Sequence, residues 1–235
     1  MCDVCGCGDS KVVPVEIHER LLAGNDRTAA HNRSHFGAHG VVAINLMGSP
    51  GAGKTAILEA TAGALGGSRR LAAITGDLET ERDAERLRAA GVPAAAITTG
   101  SACHLDAEMV HHALHGDLVH EADFVFIENV GNLVCPAIYD LGQAVNVVAL
   151  SVTEGEDKPL KYAVMFRKAD LVLLTKVDLL PALPDFDRDA LEDALAHVMP
   201  APRVIAVSAR NGTGMNEWVQ WLGGLREPGH APPLP

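Results

Sequence analysis

The sequence is poor in aromatic residues. Phe, Trp and Tyr make up 4% of its 235 residues, with two Trp and two Tyr. That leaves too little to build a base-stacking surface for single-stranded nucleic acid. Basic residues are outnumbered, 19 Lys and Arg against 30 Asp and Glu, for a formal net charge of −11 at pH 7. Such a chain has no nonspecific attraction for phosphate backbones or anionic membranes, so neither is expected as a partner. No apolar run approaches the ~20 residues needed to span a bilayer. Met1-Cys2-Asp3-Val4-Cys5 offers neither the basic nor the apolar region of a secretory leader, and a cytoplasmic, reducing location is the expectation. In that setting the five cysteines are read as thiols or metal ligands rather than disulfides. What is present is 48% hydrophobic content, enough for one large α/β domain with a short appendage.

Gly48-Ser49-Pro50-Gly51-Ala52-Gly53-Lys54-Thr55 is the most informative stretch. It follows the apolar run Val41–Met47, which reads as a buried strand, and precedes Ala56-Ile57-Leu58-Glu59-Ala60, which reads as a helix. Strand, Gly-rich loop, Lys-Thr and helix together form the context of a phosphate-binding P-loop. Gly48, Gly51 and Gly53, with Ala52, let the backbone wrap a phosphate with several N–H groups pointing inward. The helix N-terminus adds partial positive charge. Lys54 reaches the terminal phosphates, and the Thr55 hydroxyl can ligate Mg²⁺.

Residues 1–37 read as a Cys-rich metal-binding segment and linker, 38–226 as the nucleotide-binding domain, and the Pro-rich 227–235 as a disordered tail. A helix is expected over Val15–Ala30, with Ile17, Leu21 and Leu22 on its apolar side, and a polar connection over 31–40. From Val41 onward, strand-like segments (41–47, 70–75, 94–98, 123–128, 144–151, 170–175, 203–208) alternate with helix-like ones (54–66, 80–90, 105–115, 158–168, 187–198, 214–223). The expected fold is α/β, a mainly parallel sheet flanked by helices, with ligands at the carboxyl ends of its strands.

Leu171-Val172-Leu173-Leu174-Thr175-Lys176-Val177-Asp178 is an apolar strand ending in Thr-Lys-x-Asp. The Asp178 carboxylate can accept two hydrogen bonds from guanine N1–H and its exocyclic amine, a donor pair that adenine lacks, and the Lys176 stem can pack over the ring. The usual guanine-reading motif has Asn where this chain has Thr175. Ser208-Ala209-Arg210 resembles the loop whose backbone N–H meets guanine O6, and the two motifs favour GTP over ATP. Glu128, followed by Gly131, ends the strand expected to sense the γ-phosphate, and Asp77 ends another strand near the P-loop. With Lys54, these two acids are the candidate catalytic groups, able to hold Mg²⁺ or orient a water. No arginine finger is assignable, so slow intrinsic hydrolysis is expected.

Cys2, Cys5 and Cys7 form C-x-x-C-G-C, three thiols able to fold around one soft ion, with the α-amino group as a further ligand. A planar arrangement suits Ni²⁺ and a tetrahedral one suits Zn²⁺. Cys103, His104 and Cys135 provide two sulfurs and an imidazole, one ligand short of a closed tetrahedral site; a symmetric partner or water can complete it. His111, His112, His115 and His120 read as a solvated surface. His31, His35 and His39 recur every four residues in the expected linker.

These stretches together, from Met1–Gly8 through the P-loop and Cys103-His104 to Glu128–Pro136 and Thr175–Asp178, closely resemble the HypB family of GTPases that assist nickel insertion into [NiFe]-hydrogenase. The resemblance implies a SIMIBI-class G domain and GTP-dependent homodimerisation. It also implies a high-affinity nickel site on Cys2, Cys5 and Cys7, and a weaker nickel or zinc site on Cys103, His104 and Cys135. The partners it implies are a HypA-type nickel chaperone and a hydrogenase large-subunit precursor. The urease GTPase UreG is the nearest alternative, but its relatives carry Cys-Pro-His where Cys135-Pro136 here is followed by Ala137. A nickel store or sensor on a nucleotide-controlled scaffold, and an unrelated P-loop ATPase, are the other readings.

Overall fold

The computed structural model describes residues 15–226 except 101, 115, 117, 119 and 120, with side chains from residue 22 onward. The N-terminal thiol site, the tail, His115, His120 and the side chains of Ile17 and Leu21 lie outside the described residues.

Seven short strands form one sheet: β1 (Val42–Gly48), β2 (Leu71–Asp77), β3 (Ala94–Thr98), β4 (Phe124–Glu128), β5 (Val145–Ser151), β6 (Leu171–Thr175) and β7 (Val204–Ala206). Their order is β3-β2-β4-β1-β5-β6-β7, and every pairing is parallel. The expected α/β class is therefore found, as a wholly parallel sheet. Parallel strands need crossovers, and helices make most of them: α2 (Lys54–Leu65), α3 (Arg82–Ala89), α4 (Ala107–Ala113), α5 (Lys158–Lys161) with α6 (Ala163–Arg167), and α7 (Arg188–Val198), while α1 (Val15–Ala38) precedes β1, α8 (Met215–Gly224) follows β7, and β4 reaches β5 through a connection with only a short 3₁₀ turn at Cys135–Ala137.

Alternate residues of the strands face opposite layers, and both layers are apolar, which is why the strands read as unbroken hydrophobic runs. Ile44, Leu46, Phe124 and Phe126 pack against Ile57 and Leu58 of α2, Leu87 of α3, and Trp218 and Leu222 of α8. Trp218 is fully buried and donates from Nε1 to Thr61 Oγ1 at 2.8 Å, so its polar edge is satisfied inside that layer. On the other face Val125 and Ile127 meet Phe36 of α1 and Val110 of α4. Val148 and Val172 meet Phe166 of α6 and Leu195 of α7. Among the described residues no helix is long and apolar enough to cross a membrane.

The expected elements from Val41 onward fall within a few residues of the observed ones, with two corrections. The polar connection over 31–40 is instead the last turns of α1 and the bend after it. Phe36 is buried in the core, and buried Asn32 donates from Nδ2 to Ala107 O (2.8 Å) and Leu141 O (3.2 Å). Those anchors keep the segment helical although its other residues are polar. The single helix expected over 158–168 is split at Tyr162, whose φ of −123° and ψ of 43° leave the helical region.

Strand β1 lies between β4 and β5, so the chain leaves it to one side for β4, β2 and β3 and to the other for β5, β6 and β7. That reversal opens a crevice at the carboxyl end of β1, where a ligand can enter.

Candidate nucleotide site and metal centre

The P-loop leaves β1 at Gly48, whose φ is 149°; a Cβ there would fall 2.4 Å from Ala149 O of the neighbouring strand. Gly53, at φ 92°, turns the chain into α2. Lys54 is buried, and its Nζ lies 3.3 Å from Gly48 O and 3.2 Å from Ser49 O. Burial lowers its pKa, opposed by the charges of Glu128, Asp83, Glu154 and Asp77. Ser49 Oγ hydrogen-bonds Glu154 Oε2, which also pairs with Lys158 Nζ at 3.4 Å.

Thr55 Oγ1 is 2.8 Å from Asp83 Oδ1 and 2.8 Å from Glu128 Oε1. One hydroxyl has one proton to donate, so both contacts are satisfied together only when a carboxyl supplies the second. Glu128 suits that part, because burial pushes its pKa up to about 7, against the lowering effects of Lys54 and the Thr55 hydrogen bond. Glu128 Oε2 is buried with no hydrogen-bond partner. A hydroxyl and two carboxylates from separate elements, with an orphaned oxygen among them, fit a hard oxygen-liganded cation such as Mg²⁺.

Asp77 stands differently from Asp83. Its Oδ1 accepts from Glu79 N (2.9 Å), Thr80 N (2.9 Å) and Thr80 Oγ1 (3.3 Å). These backbone donors hold its carboxyl below the usual range. Asp77 shapes the loop that leads into α3 while its charge acts on Lys54, and Thr55 meets Asp83 and Glu128. Asp83 is the site residue that sequence reasoning missed. It sits among Glu81, Arg82, Glu85 and Arg86, a run that reads as a solvated helix face and carries no mark of a site.

The base-reading candidates converge on the same crevice. Thr175 is buried and donates from Oγ1 to Ala52 O at 2.6 Å, tying the end of β6 to the P-loop. This contact gives a role to the residue that departs from the usual Asn. Lys176 adopts φ 59°, the one positive φ among described non-glycine residues. Its Cε lies 3.8 Å from where a Cβ on Gly53 would fall, so its stem runs along the P-loop. Asp178 Oδ1 accepts from Ser208 Oγ at 2.6 Å, and Ser208 Oγ in turn accepts from Arg210 N (3.2 Å) and Asn211 N (3.3 Å). Ala209 lies in the loop so pinned.

The second cluster is Cys103, His104 and Cys135, whose ligand atoms lie within 4.8 Å of one another. The two Sγ atoms are 3.0 Å apart, and Cys103 Sγ is 3.7 Å from His104 Nδ1. The His104 ring stacks on Tyr139 with centroids 3.9 Å apart, and its burial lowers the imidazole pKa. The hydrogen bond with Cys103, with burial, pushes the Cys135 thiol up. A neutral imidazole beside two thiols is a donor set for Zn²⁺ or Ni²⁺.

The two clusters are mechanically joined. Asn129 is buried; its Oδ1 accepts from Leu105 N (3.1 Å) and Val130 N (3.0 Å), and its Nδ2 donates to Asn45 Oδ1 (3.2 Å). It thus binds the loop carrying Cys103 and His104 to β1 and to Val130, two residues after Glu128. Asn132 Oδ1 accepts from Cys135 N at 3.4 Å, and Asn132 bridges to Gly48 of the P-loop. Gly131 packs so closely on Pro50 that a Cβ would sit 2.9 Å from Pro50 Cγ.

A wholly parallel sheet with a Gly-rich loop, buried Lys54 and an acid-flanked Thr55 after its central strand is a P-loop NTPase fold. Residues 42–205 match the family described as CobW/HypB/UreG, nucleotide-binding domain. The chain is 54% identical over 217 residues to the hydrogenase maturation factor HypB of Azotobacter vinelandii, across 92% of this chain and 71% of that protein. Its structure resembles that of HypB from Helicobacter pylori in complex with nickel, with TM-score 0.82 and 38% identity over 86% of this chain and 95% of that one. Against the hydrogenase maturation factor HypB from Archaeoglobus fulgidus the values are 0.80 and 39%, over 88% and 100%. The chain belongs to the HypB family of hydrogenase maturation factors.

Proposed function

We propose that this chain is a GTP-hydrolysing nickel metallochaperone that assists insertion of nickel into the large-subunit precursor of [NiFe]-hydrogenase. Asp178, with Lys176 and the Ser208-Ala209 loop, selects guanine. Lys54 and the P-loop N–H groups hold the phosphates, and Thr55, Asp83 and Glu128 hold Mg²⁺. Mg²⁺ held by these residues would supply positive charge to offset the charge that develops on the transferred phosphoryl group. Glu128 faces the γ-phosphate side and orients the attacking water, while Asp77 holds the loop before α3 in register. Arg86, whose charge reaches Glu128, is engaged by Glu59 and Asp83, so this arginine does not act as a finger over the phosphates, and turnover is slow.

Nickel is the cargo. Cys103, His104 and Cys135 bind Ni²⁺ or Zn²⁺, and Cys2, Cys5 and Cys7 form a tighter Ni²⁺ site. A second copy of the chain, joined when GTP is bound, or water completes the shell of the Cys103–His104–Cys135 site. A HypA-type chaperone in the cytoplasm is the further partner.

The single observation that carries this reading is the Asn129 bridge between the Glu128 end of β4 and the Cys103–His104 loop. A movement of Glu128 toward a γ-phosphate is transmitted to the thiols. Linkage requires the reverse as well: metal must change nucleotide affinity by the same factor. Equilibrium titration with Ni²⁺, in GDP and in a nonhydrolysable GTP analogue, should give different affinities at the Cys103 site. Equal affinities would overturn the reading.

A further inference from the structure

Cys103 and His104 stand on one loop and Cys135 on another, so their donor atoms meet only if the two loops are held in register. Helix α1 holds both. On the first loop's side, Asn25 Oδ1 accepts from Ala107 N at 2.9 Å and Asn32 Nδ2 donates to Ala107 O at 2.8 Å, three residues past His104. On the other side, Asn25 Nδ2 donates to Asp140 O (2.8 Å) and Asn32 Nδ2 donates to Leu141 O (3.2 Å). Arg33 Nη2 donates to both carboxylate oxygens of Asp140, at 2.8 and 2.7 Å. Gly142 closes the contact, since a Cβ there would fall 2.6 Å from Ala29 O and 2.7 Å from Asn32 Cβ.

Tyr139 comes directly before this pinned stretch and packs against the core layer of Phe36 and Val110. Its ring lies over the His104 imidazole, with centroids 3.9 Å apart and planes at 21°. An imidazole nitrogen binds an ion through a lone pair in the ring plane, so whatever fixes the plane fixes where the ion can sit. At Zn–S of about 2.3 Å and Zn–N of about 2.0–2.1 Å, a sulfur and a nitrogen on one tetrahedral ion stand about 3.6 Å apart. Cys103 Sγ and His104 Nδ1 are 3.7 Å apart. Two sulfurs on such an ion stand about 3.8 Å apart. The Cys103 and Cys135 Sγ atoms are 3.0 Å apart. The imidazole therefore already stands where coordination needs it, and the thiols are the ligands that adjust.

We propose that Tyr139 is a positioning residue for metal capture: its ring, anchored through α1, fixes the plane of His104 so that Nδ1 meets the ion between Cys103 and Cys135. Metal-bound histidines are commonly oriented by a hydrogen bond to the outer nitrogen. Here the face of an aromatic ring does the orienting. This role rests on Cys103, His104 and Cys135 binding Ni²⁺ or Zn²⁺ as proposed, and it adds a residue outside that donor set.

The test is titration of the full chain with chelator-buffered Zn²⁺, following His104 by long-range proton–nitrogen NMR, which reads Nδ1 and Nε2 separately. In the wild type the Nδ1 signal should shift on binding. Tyr139→Phe keeps the ring face and should bind at the same free Zn²⁺. Tyr139→Leu and Tyr139→Met keep apolar bulk without a face. Each should need roughly tenfold or more free Zn²⁺, the cost of losing an outer-shell partner, and should lose the preference for Nδ1. A purely structural Tyr139 would lower the stability of the aliphatic variants and leave midpoint and binding nitrogen as in the wild type; that result in either folded variant would overturn the proposal. So would Nε2 binding in the wild type, or a Tyr139→Phe variant as weak as the aliphatic ones. A wild-type His104 that ignores Zn²⁺ altogether would refute metal binding at the cluster itself, and the positioning role with it.

Discussion

Replacing Glu128 by Gln isolates one buried carboxyl whose protonation is tied to the nucleotide site. Burial raises its pKa from 4.5 to about 7 in the folded chain. Between those values the unfolded chain has ionised and the folded chain has not. The carboxyl's contribution to stability is therefore fully present below pH 4.5 and lost as pH rises through about 7. The full loss amounts to about 3 kcal/mol, at 1.36 kcal/mol for each tenfold change in proton affinity. Gln keeps the oxygen that meets Thr55 and has no such titration. Its amide also takes the place of the orphaned Oε2, an effect that shifts stability equally at all pH values. The expected signature is thus a difference in slope. Urea unfolding of nucleotide-free, Mg²⁺-free protein should show the wild type losing about 2–3 kcal/mol relative to Glu128→Gln between pH 5 and pH 8. Parallel profiles would mean that Glu128 ionises normally, and the reasoning that places it as a desolvated partner of Lys54 and Thr55 would fail.

Two further outcomes follow from the contacts around the crevice. Asn129→Ala leaves Leu105 N, Val130 N and Asn45 Oδ1 without their partner. It should destabilise the fold by about 1–3 kcal/mol and bring the ratio of Ni²⁺ affinities in the two nucleotide states toward one; a preserved ratio would refute its role as the bridge. Thr175→Val keeps shape but removes the donor to Ala52 O, so GTP and GDP affinity should fall roughly fivefold, about 1 kcal/mol. Isothermal titration should show the guanine-over-adenine preference intact, because the Asp178–Ser208 pair is untouched.

Features that depend on local chemistry were legible without coordinates. The P-loop announces itself because glycine backbone freedom, a Lys and a hydroxyl must occur in a fixed short span. The strands do so because a parallel sheet covered on both faces has no polar alternation. The end of α1 was hidden because its anchors are distant: nothing near Asn32 in sequence indicates that Ala107 and Leu141 will offer it carbonyls. Asp83 was hidden for a related reason. Its surroundings suit a solvated helix, and only the crossover from β2 to α3 brings it against Thr55 of α2. The bridge from phosphate to thiols is a product of strand order. Because β4 rather than β2 lies beside β1, Leu46 pairs with Glu128, and the acid ends level with the start of the P-loop. Had β2 taken that place, Asp77 would occupy the position beside Gly48, and Cys135 would follow a strand remote from the phosphates. The same cysteines and the same Gly-rich loop would then fold without any means of influencing one another.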